Sequence, residues 1–234
     1  KTRAAIEGAR KIVAKTLNAS PSEIFFTSGG TEADNMAMFG VYKKAISNWK
    51  GSSKPHIITS NIEHHSVLHL IEHLEKNGKI EATYIKVKQN GIIDLKDIKN
   101  ALKENTVLVS IMYANNEIGT IQPISEIAKI IRDFKNRQIT NYKLQITNKP
   151  SSFAKATEDK QNSNFQNPKP QILKPTPYFH TDACQAAEYL EMNTQKLGVD
   201  LMTVNGSKMY GPKGVGFLYI KKGIKLTPIA RGGG

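Results

Sequence analysis

Short apolar runs alternate along this chain with segments whose apolar residues recur every three or four positions. That alternation limits the possible folds more than any other feature. Residues 23–27 (EIFFT), 56–60, 82–87, 107–112, 178–181, 201–204 and 215–220 are each too short for a buried helix and rich in branched or aromatic residues. They read as strands. Between them lie helical periods: residues 2–17 with Ile6, Val13 and Leu17 on one face, Thr31 to about Ser47, and Ser66 to about Lys76. Further periods run from the cap at Asp94 to about Lys103, and from Pro123 through Ile124, Ile127, Ala128, Ile131 and Phe134. A strand, a helix and a further strand in that order require a crossover connection. The chain is therefore expected to be an α/β protein with a mostly parallel central sheet and helices on both faces. Ligands of such sheets sit at the carboxyl ends of the strands.

One stretch interrupts the rhythm. Residues 136–177 hold five of the ten prolines and seven basic residues against two acidic ones, with no clear period. They are expected to be a disordered insertion, leaving residues 1–135 and 178–234 as one ligand-binding domain. The segment contributes to the formal net charge of +13, but elsewhere lysines and glutamates share helix faces without interleaved aromatics. That pattern describes a solvated surface better than a nucleic-acid site. No apolar run reaches membrane-spanning length, and the single cysteine, Cys184, allows no internal disulfide, so a cytoplasmic setting is expected. The chain opens at Lys1 inside a helical pattern and stops at Gly234 after a turn, as a piece of a longer protein would.

The residues with chemical potential follow the strands. Lys208 lies in NGSKMYGPKGVG, a glycine-bounded turn between two apolar runs. A lysine there is either incidental to a hairpin or a carbonyl-reactive amine, which needs desolvation or a neighbouring cation. TSGGTEADN turns from a strand into a helix, and Gly30 and Thr31 could cradle a phosphate with free N–H groups and a hydroxyl. A Walker A loop is excluded there. Gly206 to Gly211 mimics its glycine spacing, but Pro212 stands where the lysine is required. Asp182 ends a strand and could cap the following ACQAAEYL or hold a protonated ring nitrogen. His65, His69 and His73 share a helical face at zinc-compatible spacing, but no matching ligand set accompanies them, and no metal site is expected. His64 differs, since it stands just after a strand where an imidazole could stack on an aromatic cofactor. Asn115 and Asn116 could form an ordinary loop or present an amide to such a ring.

Taken in order, FTSGGTEADN, ITSNIEHHSVL, NGIIDL, LVSIMYANNEIGTIQPI, HTDACQA and SKMYGPKGVGFLYI resemble the cysteine desulfurases of the class V aminotransferase group. The resemblance covers the chain apart from residues 136–177. It implies the large domain of a type I pyridoxal-phosphate-dependent transferase. Lys208 would link covalently to pyridoxal 5'-phosphate and shuttle protons, and His64 would stack on its ring. Asp182 would pair with the ring nitrogen. Gln185 and Asn116 would lie near the phenolic oxygen or substrate, and Gly30 and Thr31 would cradle the phosphate. The substrate would be L-cysteine, its sulfur passing as a persulfide to an enzyme cysteine and on to a sulfur acceptor or iron–sulfur scaffold protein, with alanine released.

Departures accompany the resemblance. The family often has a serine and a histidine contacting the phosphate where this chain has Asn205 and Ser207. Its sulfur-accepting cysteine lies downstream of the lysine, in a region this chain lacks, and Cys184 does not correspond to it. The partner residue that completes the phosphate cup in the family's homodimer is expected to be missing too, as are an N-terminal segment and the small C-terminal domain. Full turnover by the chain as given is not expected. Two alternatives remain open: another class V enzyme, such as a selenocysteine lyase or an aminotransferase, and a non-catalytic basic module that binds RNA or protein.

Overall fold

The computed structural model describes residues 1–47, 49, 53–147 and 176–230. Seven strands form one sheet: β1 (Ile24–Thr27), β2 (His56–Ser60), β3 (Glu81–Ile85), β4 (Thr106–Ser110), β5 (Tyr178–Asp182), β6 (Leu201–Asn205) and β7 (Gly216–Ile220). Their spatial order is β1-β7-β6-β5-β4-β2-β3. All pairs from β3 to β6 are parallel, while β7 runs antiparallel to both β6 and β1. β1 consequently points the same way as the parallel strands. The carboxyl ends of β1, β2, β4, β5 and β6 therefore lie along one edge, which sets where a ligand can be met.

Both faces are covered, as the continuous apolar runs require. Ile57, Leu201 and Leu218 pack beneath α2 (Gly30–Ser47) and α3 (His65–Lys76). Their neighbours Ile58, Met202 and Tyr219 face the opposite layer, built from α1 (Thr2–Thr16), α4 (Leu95–Ala101), α5 (Ile124–Thr147) and α6 (Thr194–Leu197). The local signals act where expected. Asp94 accepts from the Lys96 N–H at 2.9 Å to cap α4, and Pro123 immediately precedes α5.

Two expectations need correction. Residues 136–147 are not an irregular insertion, because α5 continues to Thr147. Nothing stops it earlier, since the first proline after Pro123 is Pro150. Residues 148–175 lie outside the described residues. ACQAAEYL forms turns rather than a helix, and α6 is a short helix that the sequence pattern does not signal. Among the described residues, no helix is long and apolar enough to cross a membrane.

Candidate active site

The 205–216 segment is a hairpin connection and also carries Lys208 into a cleft. Asn205 ends β6 opposite Gly216 of β7, and a 3₁₀ turn at Gly206–Met209 follows. The Asn205 side chain caps that turn, accepting from the Ser207 N–H at 3.3 Å and the Ser207 hydroxyl at 3.2 Å. Glycine is needed where the loop closes on itself: a Cβ at Gly211 would stand 2.8 Å from the carbonyl oxygen of Gly206. Lys208 is exposed, so burial within this chain does not supply the desolvation that a reactive amine needs.

A cleft of about 170 Å³ opens at the carboxyl edge of the sheet. Lys208, His64, Asp182, Gly30, Thr31, Asn116, Gln185 and Asn205 all line it. Ser207 does not line it, and its hydroxyl donates to Asn205 Oδ1. At one end, Gly30 and Thr31 open α2, where Ala33 makes the first bond back to Gly29 and the preceding N–H groups have no intrahelical acceptor. A Cβ at Gly30 would meet Cys184 Sγ at 2.8 Å and Asn205 Cβ at 3.5 Å, so only glycine keeps this end open.

At the other end, acceptor and ligand atoms of Asp34, His64 and Asp182 lie within 4.8 Å of one another. Asp182 is buried and accepts from the Cys184 N–H at 2.9 Å, so it does cap the next turn while also lining the cleft. The asparagine pair divides its work. Asn115 holds the loop, donating to Ile62 O at 2.9 Å and accepting from the Glu117 and Ile118 N–H groups, while Asn116 faces the cleft. The His65 and His69 rings stack at 4.7 Å, outside this cluster.

Sequence reasoning missed a buried polar layer behind the cleft. His180 is fully buried, with Nδ1 2.9 Å from Ser110 Oγ and Nε2 3.0 Å from Thr203 Oγ1, and burial lowers its pKa to about 3. Glu63 accepts from Ser60 Oγ at 2.5 Å and the Met112 N–H at 2.9 Å, while its other oxygen has no partner. Burial outweighs those donors and raises its pKa to about 8. Asp34, 1% exposed, is pushed well above the carboxylate range, first by burial and then by the charge of Asp182. Burial above all, with Asp182 beside it, also holds the Cys184 thiol well above its ordinary range, against the pull of Lys208. A thiol kept protonated is a poor nucleophile.

The family model for aminotransferase class V matches residues 1–140 and 168–234. The chain belongs to the aminotransferase class V family. It is 41% identical over 234 residues to the cysteine desulfurase IscS of Clostridium botulinum (strain Kyoto / Type A2), covering 100% of this chain and 47% of that relative. With cysteine desulfurase IscS of Dictyoglomus turgidum (strain DSM 6724 / Z-1310) it shares 43% identity over 232 residues, 99% of this chain and 47% of the relative. The chain thus spans about half the length of the curated relatives it matches. Among solved structures it resembles a NifS-like protein, with a TM-score of 0.76, 32% identity, and coverage of 99% of this chain and 51% of the other. It also resembles SspA in complex with cysteine, with a TM-score of 0.75, 32% identity, and coverage of 98% and 53%. The fold expected from the sequence is therefore the one found.

Membership of this family implies pyridoxal phosphate, and the residues present fit it. One end of the cleft offers backbone N–H groups and a glycine cradle suited to a phosphate. The other end offers a buried carboxylate suited to a ring nitrogen, and a lysine stands between the strands that carry them.

Proposed function

We propose that this chain is the cofactor-binding half of a pyridoxal-phosphate-dependent cysteine desulfurase. The observation that carries the reading is the meeting of Lys208, His64, Asp182 and the amino end of α2 in one cleft. Lys208 would anchor the cofactor covalently and carry a proton on Nζ. His64 would cover the ring, and Asp182 would pair with its nitrogen. Gly30, Thr31 and Asn205 would hold the phosphate, with Ser207 supporting them by fixing the Asn205 side chain. The amides of Gln185 and Asn116 would orient the ring oxygen or the substrate carboxylate. When bound, the cofactor supplies an electron sink that stabilises negative charge on the carbon bearing the substrate amine.

The substrate is L-cysteine and the product alanine, with sulfur received by a thiol other than Cys184. That reading rests on the identity of the relatives as cysteine desulfurases and on the cysteine held by one structural neighbour. We place the parent protein in the cytoplasm as a homodimer that feeds sulfur to an acceptor such as an iron–sulfur scaffold protein. We read residues 148–167, which the family model leaves unmatched, as part of an insertion in one cofactor-binding domain. The test is absorbance with added pyridoxal phosphate. A visible band of lysine-bound cofactor should form and be lost in Lys208→Ala. No band in the folded, full-length protein would refute the reading.

A further inference from the structure

Ser66 stands between two groups and has one hydroxyl proton for both. Its Oγ lies 2.6 Å from Asp34 Oδ2 and 2.7 Å from His64 Nδ1. The Ser66 backbone N–H also meets His64 Nδ1, at 3.1 Å, because the His64 side chain caps α3. A ring nitrogen that accepts from a backbone N–H carries no proton of its own. The short contact with Ser66 Oγ therefore needs the serine proton to lie on that line. The second short contact, between Ser66 Oγ and Asp34 Oδ2, is then left to be supplied by a proton on Asp34. With Asp34 ionised the serine would have to donate to it, His64 Nδ1–H would have to donate to the serine, and the cap on α3 would be lost.

The surroundings of Asp34 agree with a neutral acid. Its other oxygen, Oδ1, has no hydrogen bond. The nearest cation candidate, His180 Nε2, is 3.6 Å away and engaged with Thr203, whose hydroxyl favours the charged form of Asp34 but is outweighed by burial and the charge of Asp182. The titratable groups around it are Asp182, Glu63, Cys184, His180 and His64, and the cation that lines the same cleft, Lys208, is exposed. Two further carboxyl groups beside a buried carboxylate disfavour a third charge.

We propose that Asp34 is a positioning residue: it donates its proton to Ser66, Ser66 donates its own to His64 Nδ1, and His64 is held with its proton on Nε2. The relay fixes which edge of the imidazole donates and ties the ring to the buried layer between α2 and α3. A neutral Asp34 also leaves Asp182 as the carboxylate that faces a cationic ring. The purpose given to His64 rests on the pyridoxal phosphate reading, but its tautomer does not. It can be measured in the cofactor-free chain, so failure of the relay and failure of cofactor uptake are separate results.

The experiment uses the full chain without cofactor, labelled with ¹⁵N-histidine and ¹³C-aspartate, in buffer at about pH 7.5, where exposed imidazoles are mostly neutral. His64 is assigned by the signal missing in His64→Gln, and Asp34 by the signal missing in Asp34→Asn. The relay requires a pyridine-like Nδ1 and a pyrrole-like Nε2 in His64, together with a protonated carboxyl shift for Asp34. Asp34→Asn can donate to Ser66 as the neutral acid does and should keep the His64 pattern. Ser66→Ala should mix the tautomers and draw the two nitrogen shifts together. A carboxylate shift for Asp34, a pyrrole-like Nδ1, inversion of the pattern by Asp34→Asn, or no change in Ser66→Ala would each overturn the relay.

Discussion

Replacing Glu63 with glutamine should flatten the fall in stability that the buried layer imposes at alkaline pH. The ordinary pKa of 4.5 applies when the chain is unfolded, and the folded value is about 8. Between those limits the folded state binds the extra proton, so rising pH costs about 1.4 kcal/mol per pH unit. Asp34 is raised in the same sense. His56, whose pKa falls to about 4, and His180, at about 3, act oppositely. Each binds its proton only when unfolded, so their contribution is present above 6.5 and lost as pH falls. From pH 4.5 to 6.5 the two histidines oppose the two acids. Above 6.5 the histidines are neutral in both states and only the acids remain.

From pH 6.5 to 8, Glu63 alone should therefore remove about 1.5 to 2 kcal/mol. At a urea dependence of about 2.5 kcal/mol per molar, that is a midpoint shift of roughly 0.7 M. Glutamine keeps an oxygen for Ser60 and the Met112 N–H, and it cannot ionise. The assay is urea unfolding of cofactor-free wild type and Glu63→Gln across this range. Wild type should lose that much more than the variant, whatever their absolute stabilities. Parallel curves would refute the buried-acid reasoning.

Gly30→Ala should cost about 1–3 kcal/mol, because its Cβ would stand 2.8 Å from Cys184 Sγ. Urea midpoints of Gly30→Ala, Cys184→Ala and the double variant should show the double variant recovering at least half of that loss. Gly216→Ala should lie at the top of the same range, and Cys184→Ala should not relieve it. Its Cβ would meet backbone, Val204 O at 2.7 Å and Gly29 at 2.9 Å, and no side chain can turn away. Thr203→Val should cost about 1–3 kcal/mol by the same assay, since it leaves buried His180 Nε2 without its hydroxyl partner at 3.0 Å.

The sheet was legible because its central strands, such as β2, β4 and β6, are short runs buried on both faces, which leaves a mark in the sequence whatever their neighbours are. Residues at strand ends were legible for the same reason: Asp182, Asn205 and Lys208 stand where an apolar run stops. Asp34 and Ser66 left no such mark. Each lies in the first turns of a helix, where an acid or a serine is ordinarily a solvent-facing aid to helix initiation. Only the packing of α2 against α3 and the sheet buries Asp34 and half-buries Ser66. His180 and Thr203 carried a signal that could have been used. A histidine and a threonine inside otherwise apolar strands, in YFHTD and LMTVN, imply a buried partner for each. The far end of α5 was misread because Asn, Gln and Thr suggest a loop by composition, yet no residue before Pro150 forbids a helix already under way.

Charge is the part of the site that sequence alone could not supply. Three acids, Asp34, Glu63 and Asp182, surround the ring end of the cleft, and a count of residues would give that end three negative charges. A single cationic ring could not balance them in so little water. Burial resolves the mismatch by favouring the protonated forms of Asp34 and Glu63, and those protons are then available for use. The one on Asp34 directs Ser66 toward His64, and the one on Glu63 leaves no buried charge where Glu63 accepts from Ser60 and the Met112 N–H. Asp182 is left facing the cleft beside Lys208. The lysine turn fixes where a cofactor could be anchored, and the protonated acids behind it make the opposite wall match one positive ring rather than repel or over-bind it.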